Sequence, residues 1–308
     1  MKYVLFIGSK LGYEAIKILT ELNCHIEHVF IEKEHEHEHE KYYAKSKDHC
    51  EIYKIPFSIN AGNREIQNTI EEIDAFDYVM SFGYRRMISE LAIKKASISA
   101  LGTHFSPLPR YRGFAPLNWV LINGEDETAV NLFYLDEKVD NGDIIASRKV
   151  KIDNLDDINS LYEKCIVAFT GMMKEAIPLI ESKSFQPKKQ DESKATYTCA
   201  RNPEDGLIDW NWDSRRIYNF VRALTYPFPG AFTFLDGKRV IIWSCEEYEI
   251  PKYEGIIPGK VIKIIKDSGV VVLCGEGAIL IKDIATEEQQ NIKADEFISS
   301  IRVTLGKR

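Results

Sequence analysis

The chain has 308 residues, comfortable for two domains, and its 44% apolar and 28% charged content is that of an ordinary globular protein. Its 40 basic and 47 acidic side chains leave a net charge of 40 − 47 = −7, with a pI near 5.6, which excludes a general polyanion binder. Six scattered cysteines without a C-x-x-C pair point to reduced thiols in a cytoplasmic protein rather than a disulfide frame, and no apolar run approaches the ~18 residues of a membrane span.

Lys2 to Ile7 reads as a continuous apolar strand and not as a signal peptide, because neither a long apolar region nor a small-residue cleavage site is present. Gly8 to Gly12 bends the chain into a helix over Tyr13 to Leu22, and Ile26 to Ile31 is a second strand. The bend holds half of a dinucleotide-binding fingerprint. Glu32 is near the end of the second strand but not clearly placed to hold a ribose, so a tight turn is the expectation. Glu34 to Glu40 alternates glutamate with His35, His37 and His39. Alternation puts the three imidazoles on one face of an extended chain, where they can ligate zinc, but the glutamates around them favour a solvated loop without metal.

Arg64 to Ile73 is expected as a helix, Tyr78 to Ser81 as a buried strand, Met87 to Lys95 as a short helix and Ser97 to Leu101 as a strand. Thr128 to Leu135 follows as a strand and Asp156 to Ile180 as a long helix. Glu181 to Arg201 is polar and Lys-rich and is expected as a linker. A helix over Arg215 to Leu224 precedes five short β runs separated by Gly and Asp turns. The fold class is α/β: a Rossmann-like doubly wound parallel sheet over 1–200, with a smaller C-terminal OB-like β-barrel domain over 201–308. Ligands of such sheets sit beyond the carboxyl ends of the strands.

Two segments carry chemistry. His104, the last histidine of the chain, is followed by the Pro-braced basic run Ser106-Pro107-Leu108-Pro109-Arg110-Tyr111-Arg112-Gly113. Further on comes Val139-Asp140-Asn141-Gly142-Asp143-Ile144-Ile145. Alone, His104 reads as a satisfied core histidine; beside that loop and a carboxylate it reads as a proton acceptor in acyl transfer. Arg110 and Arg112, held between Pro109 and Gly113, are suited to a phosphate or carboxylate, since the guanidinium fork pairs bidentately with both.

These segments resemble the N10-formyltetrahydrofolate-dependent formyltransferases, whose pattern is Asn-x-His, then Ser-Leu-Leu-Pro-x-(Tyr/Trp)-Arg-Gly, then (Leu/Val)-Asp-x-Gly-(Asp/Gln)-Ile-Ile. Pro203 to Trp210 and Arg222 to Phe232 are similar to the family's link into its C-terminal domain. The resemblance implies transfer of a formyl group from N10-formyltetrahydrofolate to an amine, with His104 and Asp140 as the catalytic pair. It departs from the pattern at one place: the family Asn that donates to the formyl oxygen is Gly102 here. Thr103, Asn118 and a backbone N–H are candidate stand-ins. Loss of such a donor costs about 2.7–4 kcal/mol in other acyl-transfer enzymes.

The resemblance also implies that Phe82, Gly83, Tyr84, Arg86, Met87 and Ile88, with Asp136 and Val139, face the folate donor. From the residues alone, Gly83 is the bend of a strand-to-helix turn, and Asp136 makes a turn hydrogen bond. Ser106, Arg110, Tyr111, Arg112 and Gly113 fall on the acceptor side. Tyr226 is a domain-junction core residue or, alternatively, a platform for a nucleobase. The acidic run Glu32 to Glu40 stands where a tRNA-specific member carries a basic loop, which disfavours nucleic acid. Resemblance to the sugar-modifying branch of the family implies as acceptor the amine of a nucleotide-linked deoxyamino sugar of surface-polysaccharide synthesis, and a homodimer; a cytoplasmic protein that uses neither metal nor membrane is expected. Methionyl-tRNA formyl transfer, and a non-catalytic folate- or nucleotide-sugar-binding homologue, are the alternatives.

Overall fold

A computed structural model describes residues 1–34 and 40–306; the expectation for His35, His37 and His39 falls outside the described residues. The chain divides into two compact units. The first holds Met1–Gly113, Glu127–Val150 and Glu163–Tyr197; the second holds Phe114–Asp126, Lys151–Tyr162 and Thr198–Arg308.

The first unit is built on β1 (Lys2–Ile7), α1 (Ser9–Glu21), β2 (His25–Ile31), α2 (Tyr42–Tyr53), β3 (Phe57–Ile59), α3 (Asn63–Glu72), β4 (Tyr78–Phe82), α4 (Glu90–Lys95), β5 (Ser99–His104) and the two-residue β6 (Arg112–Gly113). After α5 (Pro116–Ile122) of the second unit come β7 (Glu127–Tyr134), β8 (Ile144–Lys151), α6 (Ile158–Glu181) and β9 (Tyr197–Thr198). Seven strands form one sheet in the order β3-β2-β1-β4-β5-β7-β8, parallel from β3 to β5. Tyr3 to Ile7 is buried on both faces, which is why it reads as an unbroken apolar run rather than an alternating one. β7 then joins antiparallel and sets Asn131 opposite His104 and Phe133 opposite Gly102. His104 is thus the last residue of a parallel strand, at the sheet's carboxyl edge.

Three expectations change. The turn expected over Gly8 to Gly12 is confined to Gly8, since α1 begins at Ser9. Met87 and Ser89 are not helical: α4 begins at Glu90, and Met87 is 95% exposed. The stretch expected as a linker folds back onto the first unit. Lys188 bridges Ile144, the Tyr111 N–H donates to Thr196 Oγ1 at 2.9 Å, and Tyr197 belongs to β9. Apart from the Thr196 hydroxyl, the pairing is made by backbone groups, which Lys-rich composition does not reveal. Helix α2 escaped the periodicity argument because it buries only Ser46 and Cys50. Its start is fixed from upstream: Glu34 accepts from the Tyr42 and Tyr43 N–H groups at 2.9 and 3.3 Å.

The second unit adds α7 (Ser214–Leu224), β10 (Ala231–Leu235), β11 (Lys238–Glu247), β12 (Val261–Ile265), β13 (Gly269–Leu273), β14 (Ala278–Ala285), β15 (Ile292–Lys293) and α8 (Ala294–Phe297). Five strands run antiparallel in the order β10-β11-β14-β13-β12. The C-terminal segment links the two edges: Val261 N–H donates to Val303 O at 3.1 Å, Leu305 N–H to Gly259 O and Gly306 N–H to Phe234 O, both at 2.8 Å. The C-terminal segment thereby bonds to both ends of the sheet, to β10 and beside β12. No helix among the described residues is long and apolar enough to cross a membrane.

Candidate active site

His104 is buried at the end of β5. Its Nδ1 lies 3.4 Å from Asp140 Oδ2, and its Nε2 donates to the Tyr111 carbonyl at 2.7 Å. With the Nε2 proton committed to a carbonyl, the basic lone pair is on Nδ1, and a proton taken up there is held against the Asp140 carboxylate. Tyr111 presents that carbonyl from a left-handed backbone conformation, φ 61°.

Asp140 also sits in the left-handed region, φ 49°, and its Oδ2 accepts from the Gly113 N–H at 2.8 Å. One carboxylate oxygen therefore meets both His104 and the end of the basic loop. Just after it, Gly142 approaches Tyr134 so closely that a Cβ would fall 1.8 Å from the Tyr134 carbonyl oxygen. No other residue fits there. The amide of Gln190, a residue that sequence reasoning passed over, donates from Nε2 to the carbonyls of Asp140 and Gly142, each at 2.8 Å.

Asn131 is the second residue missed. Its Nδ2 donates to the His104 and Ser106 carbonyls at 3.2 and 2.6 Å, and Ser147 Oγ donates to its Oδ1 at 2.7 Å. It fixes the exit of β5. Ser106 Oγ donates to the Arg110 carbonyl at 2.8 Å and so closes the loop rather than facing outward.

Arg112 departs from expectation. Its side chain is 0% exposed, and its fork pairs with the chain's own Glu192, Nη2–Oε1 2.6 Å and Nη1–Oε2 3.1 Å. Nη2 also donates to Gln190 Oε1 at 2.9 Å and Nη1 to the Tyr197 hydroxyl at 3.2 Å. The bidentate partner is real, but it belongs to the protein, so Arg112 braces the loop. Arg110 is exposed, its guanidinium 5.2 Å from the centre of the Tyr111 ring. The Arg112 guanidinium holds the Glu192 carboxyl below the usual carboxylate range. A lowered carboxyl stabilises the fold above that range, and this contribution is lost as pH falls through the lowered value. Glu192→Gln is expected to melt below wild type at pH about 7, with the gap closing towards pH about 3. Thermal unfolding followed by circular dichroism checks it, and a gap that does not change with pH contradicts it.

Gly102 is buried, and a Cβ there would lie 2.6 Å from Leu135 Cδ2. Leu135 therefore fills the space that a side chain at 102 would need. Thr103 Oγ1 is buried without a hydrogen-bond partner, yet strand alternation turns residue 103 to the opposite face from 102 and 104. Asn118 is committed elsewhere, its Nδ2 donating to the Ala223 carbonyl at 2.8 Å. Of the stand-ins considered, only a backbone N–H is left.

In the segment expected to face folate, Phe82 is buried and Gly83 takes φ 67°, packed against Gly8. The Tyr84 ring lies 5.2 Å from Phe6, and Tyr84 and Ile88 pack on the core. Glu32, weighed as a ribose ligand, instead accepts from the Arg85 N–H at 2.7 Å and sits 3.3 Å from Arg86 Nε. Arg86 also donates from Nη1 to the Ala61 carbonyl at 2.9 Å. Phe82, Tyr84 and Ile88 are turned inward, while Arg85, Arg86 and Met87 are exposed. Residues around the Asp140 loop line a cleft of about 490 Å³, among them Leu135, Asp136, Lys138, Asn141, Lys189 and Gln190. Asp136 accepts from the Glu137 N–H at 2.5 Å, the turn bond expected of it, and Val139 is exposed. Asn141 Oδ1 is buried there without a partner.

The second unit has its own cleft, of about 270 Å³, walled by Phe114, Phe228, Leu224 and Pro203. Phe114 is 63% exposed. Arg201 reaches the cleft with its guanidinium 5.1 Å from the Trp119 ring centre and 5.3 Å from that of Phe220, and donates from Nη2 to the Asp205 carbonyl at 2.7 Å. Burial pushes its pKa down. Tyr226 does not line this cleft; Phe114 and Phe228 are the rings there.

Sequence profiles place the chain among known proteins. The profile described as formyl transferase matches residues 18–177, and that described as formyl transferase, C-terminal domain, matches residues 201–302. The bifunctional polymyxin resistance protein ArnA of Wigglesworthia glossinidia brevipalpis is 34% identical over 257 residues, 82% of this chain and 39% of ArnA. The chain thus spans about two-fifths of that relative. An N-formyltransferase from Helicobacter canadensis, solved with folinic acid and dTDP-3-aminofucose, superposes with a TM-score of 0.69 at 16% identity over 95% of this chain and 100% of its own. HypX from Aquifex aeolicus superposes with a TM-score of 0.66 at 18% identity, over 97% of this chain and 48% of HypX. At such identities the structural likeness is one of fold.

Proposed function

The chain belongs to the formyl transferase family, and from that premise we propose that it moves a formyl group from N10-formyltetrahydrofolate to the amine of a nucleotide-linked deoxyamino sugar. The observation that carries the reading is the approach of His104 to Asp140 at the carboxyl end of β5. The neutral amine attacks the formyl carbon and a C–N bond forms. The tetrahedral intermediate carries a proton on the attacking nitrogen and negative charge on the formyl oxygen. His104, with Asp140 beside it, takes that proton and returns it to N10 as the C–N10 bond breaks. Products are the formamide and tetrahydrofolate, with no net proton change. Asp136, Val139 and the Phe82–Ile88 segment are the proposed donor side; Ser106 to Gly113, which Arg112 braces from behind, are the proposed acceptor side.

A nucleotide sugar fits the charge pattern better than tRNA, given a net charge of −7 and the acidic run Glu32 to Glu40. We further propose action as a homodimer in the cytoplasm, which light scattering and fractionation test.

The decisive assay incubates the protein with N10-formyltetrahydrofolate and a panel of UDP-, dTDP- and GDP-amino sugars, read by mass spectrometry. Gain of one formyl group on a sugar is the expected result. Binding of donor and sugar without product points to the non-catalytic homologue, and binding of neither rejects the reading.

A further inference from the structure

We propose that Gln190 is a positioning residue that sets both acceptors of the His104 ring. It is not a substrate contact. The inference rests on the catalytic reading of His104 and Asp140 and extends it to a side chain from the polar stretch after α6. Gln190 is 5% exposed. Its two amide hydrogens go to the Asp140 and Gly142 carbonyls, each at 2.8 Å. Its Oε1 accepts from Arg112 Nη2 at 2.9 Å and Nε at 3.3 Å. The orientation of the amide is fixed by its partners, since carbonyls only accept and a guanidinium only donates.

The two ends of this amide lead to the two sides of the imidazole. On one side, Asp140 stands at φ 49° on a loop outside any strand or helix, and its Oδ2 meets His104 Nδ1 at 3.4 Å. On the other side, Arg112 directly follows Tyr111, whose carbonyl accepts from His104 Nε2 at 2.7 Å. One buried side chain therefore ties the loop that supplies the carboxylate to the segment that supplies the carbonyl. Without it, Arg112 keeps Glu192 and Asp140 keeps the Gly113 N–H, but the Asp140 and Gly142 carbonyls lose their anchor, and the spacing around the ring relaxes. A displacement of about 1 Å in such a constellation can cost 10²-fold in rate.

Two variants separate the hydrogen bonds from the volume. Gln190→Met is close in size and makes none of the bonds. Gln190→Glu keeps an acceptor for Arg112 and loses both donors. In each, kcat for formyl transfer is expected to fall about 10–100-fold, with KM for donor and acceptor within about threefold. The second readout needs no turnover. The ring 15N signals of His104, assigned by their loss in His104→Gln, are expected to move in Gln190→Met and Gln190→Glu towards their positions in Asp140→Asn. Wild-type ring signals in a folded variant overturn the proposal, whatever the rates. If wild type transfers formyl to no amine, the ring signals alone decide for or against Gln190, and the failure of the formyl-transfer reading stays separate. Should Gln190→Met lose cooperative melting, Gln190→Glu supplies both readouts.

Discussion

His104→Gln is expected to lower kcat for formyl transfer by about 10²–10⁴-fold, the usual contribution of a positioned general base. Glutamine is the sharp substitution because it spares the neighbours. Its amide N–H reaches towards the Tyr111 carbonyl that now accepts from Nε2 at 2.7 Å, and its volume fills the buried end of β5. What it lacks is a basic nitrogen. KM for the folate donor should stay within about threefold, because a proton acceptor is used after binding. Asp140→Asn is expected to be less severe alone: the ring keeps the Tyr111 bond, while asparagine still offers an acceptor to the Gly113 N–H at 2.8 Å. Because both residues serve one proton, the double variant should fall little below His104→Gln. Steady-state kinetics on the three variants checks this. Loss of less than tenfold in His104→Gln removes the imidazole from the mechanism, and additive losses in the double variant separate Asp140 from it.

Much of this was legible in the sequence, and the residues show why. The apolar run from Lys2 to Ile7 is read as a strand, and it is one, with Tyr3 to Ile7 buried. The parallel strand β5, and with it the position of His104, follows from the alternation of strands and helices. The His104–Asp140 pairing was legible through the family resemblance, which singles out Asp140 from the flanking Asp136 and Asp143, and the structure sets the two 3.4 Å apart. The partners that hold the pair left no such pattern. Tyr111 acts through its carbonyl, a group every residue has. Gln190 is one polar residue in a Lys-rich stretch, and its meaning comes from partners at 112, 140 and 142 that only the fold brings near. Arg112 shows the converse error. The sequence shows a guanidinium suited to a carboxylate, but not that the carboxylate is the chain's own Glu192. Charge alone does not tell an internal partner from a ligand.

The second large effect concerns Gly102. If no other donor reaches the formyl oxygen, restoring one should raise kcat by about 10²–10³-fold, the equivalent of the ~2.7–4 kcal/mol that such a donor supplies elsewhere. Gly102→Asn alone is not the right test. Its Cβ would lie 2.6 Å from Leu135 Cδ2, so the variant is expected to lose about 1–3 kcal/mol by overpacking and to hold its amide away from the cleft. The obstruction is the tip of a leucine that is only partly buried, and the Leu135 backbone is anchored separately by its N–H on the Ala100 carbonyl at 2.9 Å. Trimming it should therefore clear the space without releasing the strand. Gly102→Asn with Leu135→Ala is expected to exceed each single variant in kcat, a strongly non-additive gain that a double-mutant cycle reads directly. Melting temperatures of the four proteins separate the packing cost from the rate. A cycle with no coupling in kcat has an equally definite meaning. It requires a donor already present in wild type, and since Thr103 lies on the other strand face and the Asn118 amide is taken, that donor is a backbone N–H. In that case the glycine is a native feature of a complete site, and Leu135 is the apolar wall built against it.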